Sequence, residues 1–226
     1  YFEQERVKLT RYAKQLKWAT HILAIKPSDA QTLKSVNASV HVLPASIPSL
    51  NNSFTSVEPY ALFHGNLSVA ENEQAAMWII QQVKGIISDT FPLRIAGKNP
   101  SKRLQQLCIK HNVDLVANPS KSELDELVNR AQIHLLYTEV SSGIKLKLIN
   151  CLASSGQVLV NENMVVGTGL EGLCTIATDA KSFKLHFIGL QNVPLTREAF
   201  NERQGILEKH FSTRKNCQLI LELINP

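Results

Sequence analysis

No two of the four cysteines, Cys108, Cys151, Cys174 and Cys217, form a C-x-x-C pair, and a chain of 226 residues does not need disulfide staples. The reading is reduced thiols in a cytosolic protein, with Cys151 packing as a small apolar residue on its helix. The chain also lacks an apolar run of membrane-spanning length and a visible signal peptide. No G-x-G-x-x-G follows the first regular strand, which argues against a dinucleotide dehydrogenase. There is no Walker G-x-x-x-x-G-K-[ST] and no G-x-S-x-G nucleophile elbow. No D-x-D pair is available to carry a divalent metal to a diphosphate, and His21, His41, His111, His134, His186 and His210 show no metal-ligand spacing. The lysines and arginines are scattered, with no aromatic-rich basic stripe, so nucleic acid is not an expected partner.

What remains is a globular composition, 44% hydrophobic and 19% charged. Its length suits one large domain, or one domain plus part of another. The net charge of +5 suits an anionic small molecule or a weak membrane-surface contact. Residues 2–18 have helical periodicity, with Lys8, Arg11, Lys14 and Lys17 outside the apolar face. Such a helix can rest peripherally on anionic lipid at the inner face of the membrane; the alternative is a solvated outer face. The chain opens at Tyr1 inside this pattern, as a truncated piece would. A strand over 21–25, a capping box at Ser28-Asp29-Ala30-Gln31 opening a short helix, and a strand over 39–43 follow. Residues 44–58, rich in Pro, Ser and Asn, read as a linker.

Beyond the linker the pattern becomes regular. Strands are expected over 60–64, 92–96, 113–116, 133–137, 157–160 and 174–177. Helices are expected over 71–87, 101–111, 120–130, 144–154 and 180–190, with one broken or two consecutive helices over 197–224. Strands alternating with helices of this length imply an α/β fold with a doubly wound, Rossmann-like parallel sheet, preceded by a partial second α/β segment.

Ligands of such sheets bind beyond the carboxyl ends of the strands. Four turns fall there: 64–68, 97–100, 117–120 and 138–143. Gly65 either permits close approach of a ligand or serves the turn alone. Lys98 reaches a phosphate or is simply solvated, and His64 is a proton carrier, a phosphate donor or the polar end of its strand. The last turn is the most informative. Ser141, Ser142 and Gly143 open a helix at Ile144, where free backbone N–H groups and the helix dipole favour an anion. Lys145 and Lys147 lie in the first turns, and Lys147, Asn150 and Ser154 share one helix face, either a cleft-facing stripe or a solvated one.

The matching residues are Phe63-His64-Gly65-Asn66-Leu67 with Asn72 and Trp78, Leu93 to Gly97, Val113-Asp114-Leu115, Ala131 to Leu136, Gly143 to Val160, and Gly172-Leu173. In this order they resemble the C-terminal half of GT-B fold glycosyltransferases, the large group that includes many bacterial mannosyl- and glucosyltransferases. The resemblance implies a nucleotide-diphospho-sugar donor and a glycan or lipid-linked acceptor, with no further cofactor and no metal. Base and ribose would lie near Asn118, Pro119 and residues 141–150. The diphosphate would meet Ser142-Gly143-Ile144, with Lys145 or Lys147 nearby to stabilise the charge growing on the leaving group. Residues 1–45 would be a remnant of the acceptor domain, 46–58 the linker and 59–226 the donor domain, a fragment inactive by itself.

Three departures stand beside the resemblance. The family's pair of glutamates is replaced by Ser142 and Asn150, its arginine after the first glycine by Asn66, and the lysine that follows by Glu71. They favour the rival expectation, a non-catalytic nucleotide- or sugar-binding module of the same fold.

Overall fold

The computed structural model describes residues 12, 15–46, 53–141 and 145–225. The chain divides into two compact units, Tyr1–Pro48 with Glu208–Pro226, and Ser49–Leu207.

In the first unit, β1 (Ile22–Ala24) pairs in parallel with β2 (Val40–Val42), joined by α1 (Pro27–Leu33). Ile22, Ala24, Ala30 and Val40 form its small core. The helix does not open on the expected cap at Ser28. Lys26 is the N-cap, held extended by the proline that follows, and Pro27 takes the first helical position, where its fixed φ and missing N–H cost nothing. Of the basic helix expected over 2–18, most residues lie outside those described. The C-terminal pattern resolves into two helices, α8 (Arg197–Phe211) and α9 (Thr213–Ile224), broken where Ser212 caps Lys215. Asn216 of α9 ties this unit together by donating to the Pro44 carbonyl at 2.7 Å.

The second unit is the doubly wound sheet. Its strands are β3 (Glu58–Asn66), β4 (Leu93–Lys98), β5 (Asp114–Ala117), β6 (Ala131–Leu136), β7 (Gln157–Asn161) and β8 (Thr175–Ala177). All pair in parallel in the order β5-β4-β3-β6-β7-β8. The intervening helices are α2 (Ala70–Val83), α3 (Lys102–Lys110), α4 (Lys121–Arg130), α5 (Leu146–Leu152), the short α6 (Glu162–Val165) and α7 (Ala180–Gln191). Caps explain several starts. Ser101 accepts from the Leu104 amide, while Ser120 with Glu123 and Asp179 with Ser182 form capping boxes.

Helices cover both sheet faces, so β3 alternates between two cores. Ala61 and Phe63 point into the larger one, with Ile79, Leu93, Ile95, Ile133, Phe183 and Phe187. Tyr60 and Leu62 point into the other, with Ala96 and Ala131. Gly97 is demanded by close approach. A Cβ there would overlap the Gly65 carbonyl oxygen of the neighbouring strand.

Candidate functional site

The strand order reverses at β3, whose chain leaves toward β4 on one side while β6 lies on the other. The crevice beyond the carboxyl ends of β3 and β6 is therefore where this topology places a ligand. His64, Gly65 and Asn66 end β3 there, and Tyr137 and Thr138 follow β6.

Lys147, in the first turn of α5, reaches back to this mouth. Its ammonium donates to Asn72 Oδ1 at 2.9 Å and lies 4.6 Å from the Phe63 ring centroid. Burial pushes its pKa down to about 8. Asn72 donates in turn to the Asn66 carbonyl at 3.0 Å, so one amide side chain links the strand end to the lysine. Gly65 makes room for both. A Cβ there would stand 3.0 Å from Lys147 Nζ and 3.1 Å from Asn72 Cγ. The glycine thus admits the chain's own lysine. Its backbone is not in the left-handed region.

Beneath the mouth lies a buried polar layer. His64 Nε2 stands 3.5 Å from Cys151 Sγ, and burial, then the Lys147 charge, push its pKa down to about 4. His134, fully buried, pairs through Nε2 with Ser154 Oγ at 2.7 Å. Burial holds its pKa well below the ordinary range, with the His64 and Arg203 charges acting the same way. Both rings are therefore neutral at pH 7. Burial also pushes the Cys151 thiol up to about 12, so it packs as an inert thiol. Arg203 of α8 is 4% exposed and clamps the end of α5, donating to the Gly156 carbonyl at 3.0 Å and to that of Ser154. Gln204 adds longer bonds to the carbonyls of Leu152 and Ala153.

On the other side Thr138 is 2% exposed and its hydroxyl donates to the Glu71 carboxylate. Asn161 fixes the Thr138 backbone, accepting from its N–H at 3.1 Å and donating to its carbonyl at 2.7 Å. The mouth therefore carries one half-buried ammonium, amide groups and a neutral imidazole, with a carboxylate at its edge. It can hold an anion on Lys147, and Glu71 limits how much negative charge it tolerates.

The sequence-derived residues fall into distinct positions. Gly65, Asn66 and Lys147 meet at the mouth. The Asn66 side chain is turned back, accepting from the Ser68 amide at 3.2 Å and hydroxyl at 2.8 Å. Lys98 is exposed and in register with Asn66 on the next strand. Asn118 has φ 55°, and its side chain accepts from the Asn99 amide at 2.8 Å; Pro119 is buried beside it. Lys145 is the N-cap of α5 and donates to the Val140 carbonyl at 2.7 Å, while Ser141 and Asn150 are exposed. Ser142, Gly143 and Ile144 lie outside the described residues. Two expectations are corrected. The helix spans Leu146–Leu152, shorter than 144–154, and Ser154 lies past its end. Ser154 therefore leaves the face shared by Lys147 and Asn150 and turns inward to His134. The roles of Thr138, His134 and Arg203 escaped the sequence reading because their partners lie at least 20 residues away.

Among the described residues, no helix is long and apolar enough to cross a membrane, and no group of three or more His, Cys, Asp or Glu side chains could hold a metal ion. No protein-family model and no curated protein sequence matches the chain. Solved structures do. TarM from S. aureus, in a complex with fondaparinux, alpha-GlcNAc-glycerol and UDP, superimposes with a TM-score of 0.72 at 11% identity over 97% of this chain. A glycosyltransferase from Rickettsia africae gives 0.71 at 12% over 96%. HepE from Anabaena, with UDP and glucose, gives 0.68 at 12% over 95%. The chain spans 47% of the TarM chain and 67% and 66% of the other two. With this agreement across almost all of its length, the chain has the fold of the GT-B glycosyltransferases.

Proposed function

We propose that this chain supplies the donor-binding half of a metal-independent glycosyltransferase. It moves a sugar from a nucleotide-diphospho-sugar to a glycan or lipid-linked acceptor. Of the expected donor domain 59–226, residues up to Leu207 lie in the second unit and form it, residues 1–45, in the first unit with 208–226, are a remnant of the acceptor side, and 46–58 are the linker. The protein works in the cytoplasm, in polysaccharide biosynthesis, with peripheral contact at the inner membrane face. The observation that carries the reading is Lys147 at the topological crevice, half-buried, held by Asn72 and beside Gly65.

Lys147 meets the diphosphate, whose negative charge grows as the bond to the sugar breaks. An ammonium already desolvated and fixed stabilises that charge without reorganising. Ser142, Gly143 and Ile144 are expected to meet the same diphosphate, and Lys145 adds a second positive charge. Asn118 and Pro119 border the base and ribose, Asn150 offers an amide to the ribose, and Lys98 and Asn66 stand at the outer rim. The acceptor-side base belongs to the rest of the enzyme, so this chain alone does not turn over.

Thermal-shift measurements with UDP, GDP, ADP and their sugars test the reading. One nucleotide series should raise Tm, by an amount that grows with the logarithm of ligand over Kd. No shift with any of them, in folded protein, contradicts it. A second reading, a non-catalytic nucleotide- or sugar-binding module, is favoured by the Glu71 carboxylate bonded to Thr138 at the edge of the mouth and by the amide of Asn150. Nucleotide binding without transfer, in the full-length protein given an acceptor, would select it.

A further inference from the structure

A second cleft opens at the same edge of the sheet, where the strand ends after β6, β7 and β8 meet α2 and α7. Its volume is about 300 Å³, and Trp78, Tyr137, Asn161, Glu162, Thr178 and Asp179 line it. That size is at the small end of the range of small-molecule sites.

One wall is a rigid aromatic platform. Trp78 stacks on Tyr137 with ring centroids 3.9 Å apart and planes 13° apart. Phe183, at 5.0 Å and 83°, braces the indole edge-on from the core. The rim is polar but partly committed to the fold. Asn161 is spent on the Thr138 backbone, and one Asp179 oxygen caps the Ser182 amide at 2.7 Å. The exposed Glu162 carboxylate remains as an acceptor, beside the Asp179 carboxylate, which also takes a bond from the Lys181 amide. Among the described residues, no lysine, arginine or histidine lines the cleft. Two carboxylates without a cation repel phosphates and acids. A flat aromatic face beside carboxylate acceptors suits a ring with an apolar C–H face and hydroxyl donors at its edge.

We propose that this cleft binds a neutral saccharide unit, in a subsite separate from the Lys147 mouth. The cleft shares Tyr137 and Asn161 with the wall of the mouth, but none of the residues that hold Lys147 lines it, so the proposal does not rest on the donor reading.

The chain contains two tryptophans, Trp18 and Trp78, so in a Trp18→Phe background all indole emission comes from Trp78, and the cleft substitutions below assign the response to the cleft. That variant is titrated with glucose, N-acetylglucosamine and maltose, and in parallel with UDP and with choline. Glu162→Ala and Ala180→Tyr are repeated in the same background. Both positions are exposed, so the fold survives either change. The expected result is a saturable emission change with at least one neutral saccharide, weakened tenfold or more by either substitution and unaffected by saturating UDP. The proposal is overturned if no saccharide changes the emission, if the change survives both substitutions, or if UDP competes with the sugar. A response to choline alone would make the cleft a cation site and equally overturn it.

Discussion

The Lys147 ammonium donates to Asn72 Oδ1 at 2.9 Å, although 75 residues separate the two in sequence. Asn72 also holds the Asn66 carbonyl, so it fixes the lysine relative to the end of β3. It does so with a neutral acceptor, leaving the positive charge uncompensated by its partner. Asn72→Asp keeps the shape and supplies a carboxylate. Affinity for the nucleoside diphosphate that the thermal-shift panel selects should fall about tenfold, a loss of roughly 1.4 kcal/mol, in a direct binding titration. Unchanged affinity would mean that the free charge is not used.

Two glycines on adjacent strands separate function from stability. At Gly97 an added Cβ meets the Gly65 carbonyl, backbone that cannot move without parting β3 from β4. Gly97→Ala should cost about 3 kcal/mol in chemical denaturation. At Gly65 the nearest atom is the flexible end of Lys147, at 3.0 Å. Gly65→Ala should therefore leave Tm nearly unchanged and weaken binding of that nucleotide by displacing the ammonium. Equal stability losses for the two variants would contradict this assignment.

The buried histidines predict the acid limb of stability. His64 titrates near 4 and His134 well below 6.5 in the folded chain, while both titrate near 6.5 when unfolded. Below pH 6.5 the unfolded state therefore binds more protons, and stability falls with falling pH down to about 4. His64 contributes up to about 1.4 kcal/mol per pH unit across that window, and His134 acts in the same direction. Urea denaturation at pH 7.5 and 5.5 should differ accordingly, and the difference should shrink in His134→Gln. A flat profile would contradict two neutral buried rings.

Arg203 holds carbonyls at the carboxyl-terminal end of α5, the helix whose other end carries Lys147. Arg203→Ala removes those bonds and leaves the Ser154 and Gly156 carbonyls without the guanidinium, at a cost of about 2–4 kcal/mol. Arg203→Lys should recover part of that stability while restoring nucleotide affinity less completely, because a single ammonium cannot reproduce the two-pronged clamp. Full recovery of both by lysine would show that charge alone matters there.

The doubly wound sheet was legible because each strand and helix carries its own local pattern. The caps at Ser101 and Ser120 mark helix starts, and the alternation of Tyr60, Ala61, Leu62 and Phe63 serves two covered faces. Misplaced boundaries have local causes as well. Pro27 outranks Ser28 as a helix start, and α5 ends before Ser154. The site was legible only in part. Periodicity placed Lys147 on a polar face, but its partner Asn72 belongs to another helix. The buried layer of His64, Cys151, His134, Ser154 and Arg203 is assembled from β3, α5, β6, the turn after α5, and α8. No short window of sequence contains it.

The most direct test of a Lys147-based diphosphate site is calorimetric titration of the full chain, across pH 6.5 to 9.5, with whichever of UDP, GDP and ADP raises Tm most, repeated with Lys147→Met. Methionine keeps an apolar stem against Phe63 and removes the charge. The wild-type affinity should be constant at low pH and decline as pH rises past about 8, where the free lysine loses its proton. Binding there should take up protons, because the diphosphate stabilises the ammonium. Lys147→Met should bind about ten- to a hundredfold more weakly at pH 7, the value of one charge-assisted contact of about 1.5–3 kcal/mol, and should lose the decline near pH 8. Equal affinity for both proteins, or the same pH profile in each, would contradict the account.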